Sequence, residues 1–134
     1  MDFYKWSDKF SVHLEEMDQQ HQKFFKLLNQ MYEYNERQDR SPEVLDQLFE
    51  ELFTYAKVHF EAEEALFGKA GFPESEQHRD QHRFFQEHLL ELRREHFQAV
   101  ASVPRSVFHF MRDWLLTHIL EVDKSYGEYL QQPR

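Results

Sequence analysis

The sequence predicts an all-α protein, an antiparallel up-down-up-down four-helix bundle with an N-terminal arm. Three observations point there. Glycine is scarce, at three residues in 134, and no apolar run alternates with the period of a strand. Four stretches instead carry apolar seams stepping by three and four residues, the spacing of one helix face. The connections between them are short enough for antiparallel neighbours.

Residues 1–17 are expected to form the arm. Phe3, Tyr4, Trp6, Phe10, Val12 and Leu14 are too irregularly spaced for an amphipathic helix, so an extended segment laid across the bundle is expected. The first helix is expected to begin near Asp18, a good N-cap residue. Its seam is Met17, His21, Phe24, Leu28 and Met31, and it fades over 35–40. Ser41-Pro42-Glu43 opens the second helix with an N-cap, a proline at the first helical position and an acid in the first turn. Leu45, Leu48, Leu52, Tyr55, His59, Ala62 and Leu66 form its seam, and Gly71 followed by Pro73 ends it. The third helix is expected from about Glu74 to Ala99, with His78, His82, Phe85, Leu89, Leu92 and His96 along its seam. Ser102-Val103-Pro104 opens the fourth, whose seam is Val107, Met111, Trp114 and His118. Bundle and C-terminal segment together span 18–130, and the whole chain, 1–134, reads as one domain with no linker, low-complexity stretch or close repeat.

The formal net charge of -9 argues against nucleic acid, which needs a basic surface. Cysteine is absent, which excludes a disulfide framework, an iron–sulfur cluster and a thiolate zinc site. The opening Met-Asp-Phe-Tyr-Lys-Trp has no basic region leading into an apolar run, and no stretch is apolar enough to span a bilayer. A cytoplasmic location is the expectation.

The histidines carry the chemistry. His21 comes early in the first helix, His59 and Glu63 late in the second, His78 and His82 early in the third, and His118 and Asp123 late in the fourth. In an up-down-up-down bundle these positions meet at one end. A buried imidazole needs a hydrogen-bond partner or a metal, and a buried carboxylate is costly unless paired or coordinated. Five seam histidines with two acids are too many donors for one ion and suit two. His59 and Glu63 share a helix face, as do His78 and His82. His118 and Asp123 are five apart, about 140° on a regular helix, so the helix ends, loosens or carries a π-bulge there. If both acids bridge and one solvent-derived oxygen is shared, three histidines complete one octahedron and two leave the other with an open position. Imidazole and carboxylate without thiolate suit iron or manganese, with zinc the plainer competitor. The spacing His-x-x-x-Glu differs from the Glu-x-x-His pairs of ferritin-like di-iron proteins.

These residues resemble the hemerythrin family, in its single-domain bacterial form. The matching stretches are Trp6 with Met-Asp-Gln-Gln-His at 17–21, His-Phe-Glu-Ala-Glu-Glu at 59–64 and Gly-Phe-Pro-Glu at 71–74. His78-x-x-x-His82-x-x-Phe85 and Trp114-Leu-Leu-Thr-His118-Ile-Leu-Glu-Val-Asp123 complete the pattern. The resemblance implies two non-haem iron ions with a bridging oxo or hydroxo group and dioxygen as ligand. It implies that His78, His82 and His118 hold the saturated iron, His21 and His59 the iron with the open position, and Glu63 and Asp123 the bridge. The implied function is reversible dioxygen binding for storage, delivery or buffering, by a carrier rather than an enzyme. Dioxygen, with an electron donor or an oxygen-consuming enzyme, is the expected set of partners. The rivals are an oxygen, redox or nitric oxide sensor, a di-iron enzyme acting on nitric oxide or peroxide, iron storage and a structural zinc bundle. One departure is His13, where relatives often have glycine.

The other polar and aromatic residues receive plainer readings. His96 lies about 20 Å along the helix from His82 and is expected at the opposite end of the bundle. His88 and His109 are expected at the surface or boundary. Trp114 is expected as a pocket wall, and Phe24, Phe25 and Phe60 as core. Glu64 is off the seam, at the surface or behind a ligand. Tyr126 and Tyr129 follow Asp123 and have two readings, donors to the site carboxylates or, more simply, packing of the C-terminal segment.

Overall fold

In a computed structural model of the chain, residues 4–131 are described; Phe3 of the expected arm lies outside them. Helices α1 (Glu15–Glu36), α2 (Pro42–Ala70), α3 (Ser75–Phe97) and α4 (Val103–Trp114) form a four-helix bundle. Each helix packs on the next, and α4 closes the ring against α1. A π-helical segment, Leu115–Val122, continues α4 into α5 (Asp123–Gln131). Backbone angles stay helical at both junctions, so the three pieces form one rod.

The arm is extended except for a single 3-10 turn at Asp8–Phe10. Asn29, buried on α1, fastens it: its side-chain oxygen accepts from the Tyr4 N–H (2.7 Å) and its amide donates to the Tyr4 carbonyl (2.8 Å). Phe10 and Trp6 then pack on Phe25 at ring distances of 4.7 and 5.4 Å. Helix α1 starts four residues earlier than expected, with Leu14 rather than Asp18 at the N-cap. Asp18 is occupied elsewhere, because its carboxylate accepts from the Ser11 hydroxyl (2.6 Å) and the Val12 N–H (2.8 Å), and so ties the arm down. His13, between these anchors, has φ of 60°, a left-handed turn that glycine adopts without steric cost.

Ser41 precedes α2 as expected, but its hydroxyl donates to Glu43 (2.6 Å) instead of accepting from the backbone. Gly71 ends α2 at φ 65°, ψ 36°, its N–H returning to the Phe67 carbonyl (2.9 Å). Helix α3 ends at Phe97, two residues short of the expected Ala99. Ala99 instead takes φ of 60° and turns the chain toward α4.

The main core lies along the bundle axis and includes Phe24, Leu28, Leu52, Phe85, Leu89 and Met111, all nearly inaccessible. Burying each such side chain contributes about 1.5–3 kcal/mol. A smaller cluster of Val12, Met17, Phe67, Phe72 and Tyr126 joins the arm, α2 and α5. The polar residues described next lie between the two clusters.

Candidate metal centre

Four helical rods deliver seven polar side chains to one interior region. His21, His59, Glu63, His78, His82, His118 and Asp123 are all buried, none more than 3% exposed. Periodicity places most of them, since His59 and Glu63, and His78 and His82, are one turn apart. The π segment places Asp123. Its N–H bonds to the His118 carbonyl, a five-residue step, which brings two residues that a regular helix would splay onto the same face. Of the expected alternatives for this stretch, the structure has the π distortion, and it extends over eight residues.

All five imidazoles turn Nε2 toward the two carboxylates. Asp123 Oδ1 lies 2.8 Å from His78 and 3.0 Å from His118, while Oδ2 lies 3.1 Å from His21. Glu63 Oε1 lies 3.3 Å from His59 and 3.1 Å from His82, while Oε2 lies 3.8 Å from His21. One donor atom each from Glu63, His78, His82 and His118 falls within a 4.8 Å cluster, and so does one each from His21, His59, Glu63 and Asp123. Glu63 belongs to both groups, and Asp123 touches histidines of both.

The outer edges of three rings are held. His59 Nδ1 donates to Gln20 Oε1 and His118 Nδ1 to Gln81 Oε1, each at 2.6 Å. His82 Nδ1 donates to Glu64 at 3.2 Å. With the proton on Nδ1, each Nε2 keeps its lone pair for the interior, the usual arrangement behind a metal-binding imidazole. Aromatic faces fix the ring planes: Phe60 stacks on His82 and Trp114 on His118, both at 3.9 Å, and Tyr55 on His59 at 5.2 Å. The Tyr126 hydroxyl donates to Glu63 Oε2 at 2.6 Å, so Tyr126 does more than pack. Tyr129 reaches the Gly71 carbonyl (3.3 Å).

Burial drives His59 down to about 4 and lowers His118 as well, outweighing the carboxylates near them. For His21 the balance reverses, since Asp123 and Glu63 overcome burial and push it up to about 10. Glu63 and Asp123 themselves stay below the usual carboxylate range, because the surrounding imidazoles outweigh burial. Several inward atoms nevertheless make no hydrogen bond: Nε2 of His21, His82 and His118, Glu63 Oε1 and Asp123 Oδ2. Their neighbours are at ion-pair distance but are not aligned as donors and acceptors. Buried polar atoms left without a partner in this way are costly. The donor set therefore fits a pair of metal ions.

His96 is remote from this region, held by Asp46 at 2.6 Å and stacked on Phe49. His88 is half-buried against Phe110, and His109 is exposed. His13 is exposed on the arm. Gln20, Gln81 and the hydroxyl of Tyr126 are the contributors that periodicity did not single out. For the glutamines a signal existed: each immediately precedes a seam histidine, at 20–21 and 81–82.

Fold and site define a class, four-helix-bundle proteins with a paired imidazole-and-carboxylate metal centre. The hemerythrin HHE cation binding domain matches residues 12–130, and the chain belongs to that family. A bacteriohemerythrin of Methylococcus capsulatus is 30% identical over 122 residues, covering 91% of this chain and 92% of that protein. A hemerythrin-like protein of Naegleria gruberi is 29% identical over 92% of this chain and 90% of its own. The solved structure of a wild-type hemerythrin, 25% identical, superposes with a TM-score of 0.85 over 97% of this chain and 99% of that one. Family and fold support a non-haem di-iron protein of the oxygen-binding type. Among the described residues no helix is long and apolar enough to cross a membrane.

Proposed function

We propose that this chain binds dioxygen reversibly at a di-iron centre held by its seven buried donors, for oxygen storage, delivery or buffering. One observation carries the reading: two donor groups are joined through Glu63 and Asp123, with inward polar atoms that have no hydrogen-bond partner. His78, His82 and His118 would hold one iron, His21 and His59 the other, and the two carboxylates would bridge. Bound ferrous ions supply the two electrons that make dioxygen binding strong and reversible.

The chain's own part is shape, dryness and proton control. Phe60 lies against His59 and His82, and Phe67 and Tyr126 border His78. Apolar walls of this kind keep out the water and protons that would turn binding into oxidation. Tyr126 fixes Glu63 but holds its own proton firmly, since burial and the two carboxylates push the phenol well above its ordinary value. Both carboxylates are held charged. Neither group is poised to hand over a proton for bond cleavage, which supports a carrier over an enzyme. The test is iron content together with catalytic assays. About two irons per chain, with no multiple turnover of nitric oxide or peroxide, is expected; sustained turnover of either substrate would replace the carrier reading with an enzymatic one.

A further inference from the structure

The centre has an internal two-fold relation that the sequence reading missed. At a constant offset, Gln20, His21, Phe24 and Leu28 of α1 correspond to Gln81, His82, Phe85 and Leu89 of α3. At a second constant offset, Tyr55 and His59 of α2 correspond to Trp114 and His118 of the fourth rod. The correspondence is chemical as well as positional. Gln20 holds His59 and Gln81 holds His118 at the same 2.6 Å. Tyr55 and Trp114 each stack on the histidine one turn later at the same interplanar angle of 13°. Phe24 and Phe85 meet at the centre, both fully buried, with rings 6.4 Å apart. Grooves of about 420 and 430 Å³ open over His59 and over His118. Glu63 and Asp123 complete the pairing, and the extra residue between His118 and Asp123 is absorbed by the π segment.

Under this relation the partner of His78 is Met17. Each lies in the opening turn of its helix, one turn before the paired His82 or His21. Each is buried, at 2% and 3% exposure. Both border the same aromatic group: Met17 packs in the cluster of Phe67, Phe72 and Tyr126, and the His78 ring abuts these three at 4.6, 6.5 and 5.5 Å. Among the paired donor positions, this is the one where a ligating side chain faces a non-ligating one. A thioether is a soft donor that suits cuprous ion rather than iron beside imidazole and carboxylate.

We propose that Met17 is the residue that makes the two halves unequal: it stands where a sixth histidine would, and so leaves the His21/His59 half one donor short and open to a small ligand. This rests on the di-iron reading above. It makes openness a property of one side chain, which could be moved from one half to the other.

The test uses iron-loaded full-length protein and azide, read by iron content and by spectral titration of the diferric form. M17H is expected to keep the wild-type iron content and lose azide binding. H78M gives up one donor and is therefore titrated in excess iron, where it is expected to take up more azide than wild type because both halves are then open. The swap M17H/H78M is expected to recover wild-type azide stoichiometry. Azide binding by folded M17H at wild-type affinity overturns the proposal. If M17H does not fold, H78M in excess iron decides: unchanged or reduced azide uptake overturns the proposal, and increased uptake upholds it. A wild-type chain that fails to hold iron or to bind azide overturns the di-iron reading itself, and this proposal with it.

Discussion

The Tyr126 hydroxyl donates a 2.6 Å hydrogen bond to Oε2 of Glu63, across 63 residues of sequence, with both groups out of contact with water. It joins α5 to α2 beneath the centre and fixes the carboxylate shared by both donor groups. Tyr126→Phe removes one hydroxyl and leaves a charged oxygen without its donor. Hydrogen bonds to charged groups contribute about 1.5–3 kcal/mol. Denaturant unfolding of the metal-free variant is expected to show a loss in that range, with an unchanged denaturant slope. A loss too small to measure would mean that Glu63 finds another donor.

Gln20 and Gln81 orient His59 and His118 from outside the donor cluster. Removing such a partner typically lowers metal affinity about 10–100-fold. Gln81→Ala and Gln20→Ala are each expected to retain iron after purification but to release it faster to a chelator than wild type. Release at the wild-type rate from both variants would show that the aromatic stacks alone hold the rings.

Glu63→Ala is expected to lose both irons together, because Glu63 belongs to both donor groups. His82→Ala is expected to abolish the centre as well, while His96→Ala is expected to leave iron content at wild type, its ring being bound to Asp46 instead. Elemental analysis of the three proteins, made side by side, checks this. Loss of iron in His96→Ala would misplace the centre.

The sequence revealed the bundle, the seams and the seven buried donors because each depends on helical periodicity, which is local. Leu45, Leu52, His59 and Leu89 could be assigned to a face by counting. What stayed hidden depends on contacts between distant segments. Asp18 looked like an N-cap because aspartate is a good one; its engagement with Ser11 and Val12 is decided by where the arm crosses α1. Ala99 looked helical by propensity, and only the tight turn into α4 forces its positive φ. The π segment was foreseen as one of three alternatives, from the five-residue step between His118 and Asp123. Which of its two readings holds for Tyr126, and the aromatic group that Met17 and His78 share, needed coordinates.

The metal-free protein is expected to be most stable near neutral pH. His59 is lowered from 6.5 to about 4 by burial, so its contribution is full above pH 6.5 and lost as pH falls toward 4. His118 adds to the same acid-side loss. His21 is raised from 6.5 to about 10, so its contribution is full below pH 6.5 and lost as pH rises toward 10. Thermal midpoints measured across pH 4–10 should therefore pass through a maximum. Iron binds the unprotonated rings, so loading at neutral pH is also expected to release protons and to raise the midpoint by mass action. Equal midpoints for loaded and metal-free protein at one pH would contradict an ion held by the folded centre.

The most direct test is the visible spectrum of the anaerobically reduced iron protein, recorded before oxygen, after oxygen, and after oxygen is removed again. Reversible binding at the proposed centre requires a charge-transfer band that appears with oxygen and fades on its removal, through repeated cycles, with iron content constant. A spectrum that passes directly to the oxidised form, with no intermediate band on rapid mixing and no return when oxygen is withdrawn, would contradict the account.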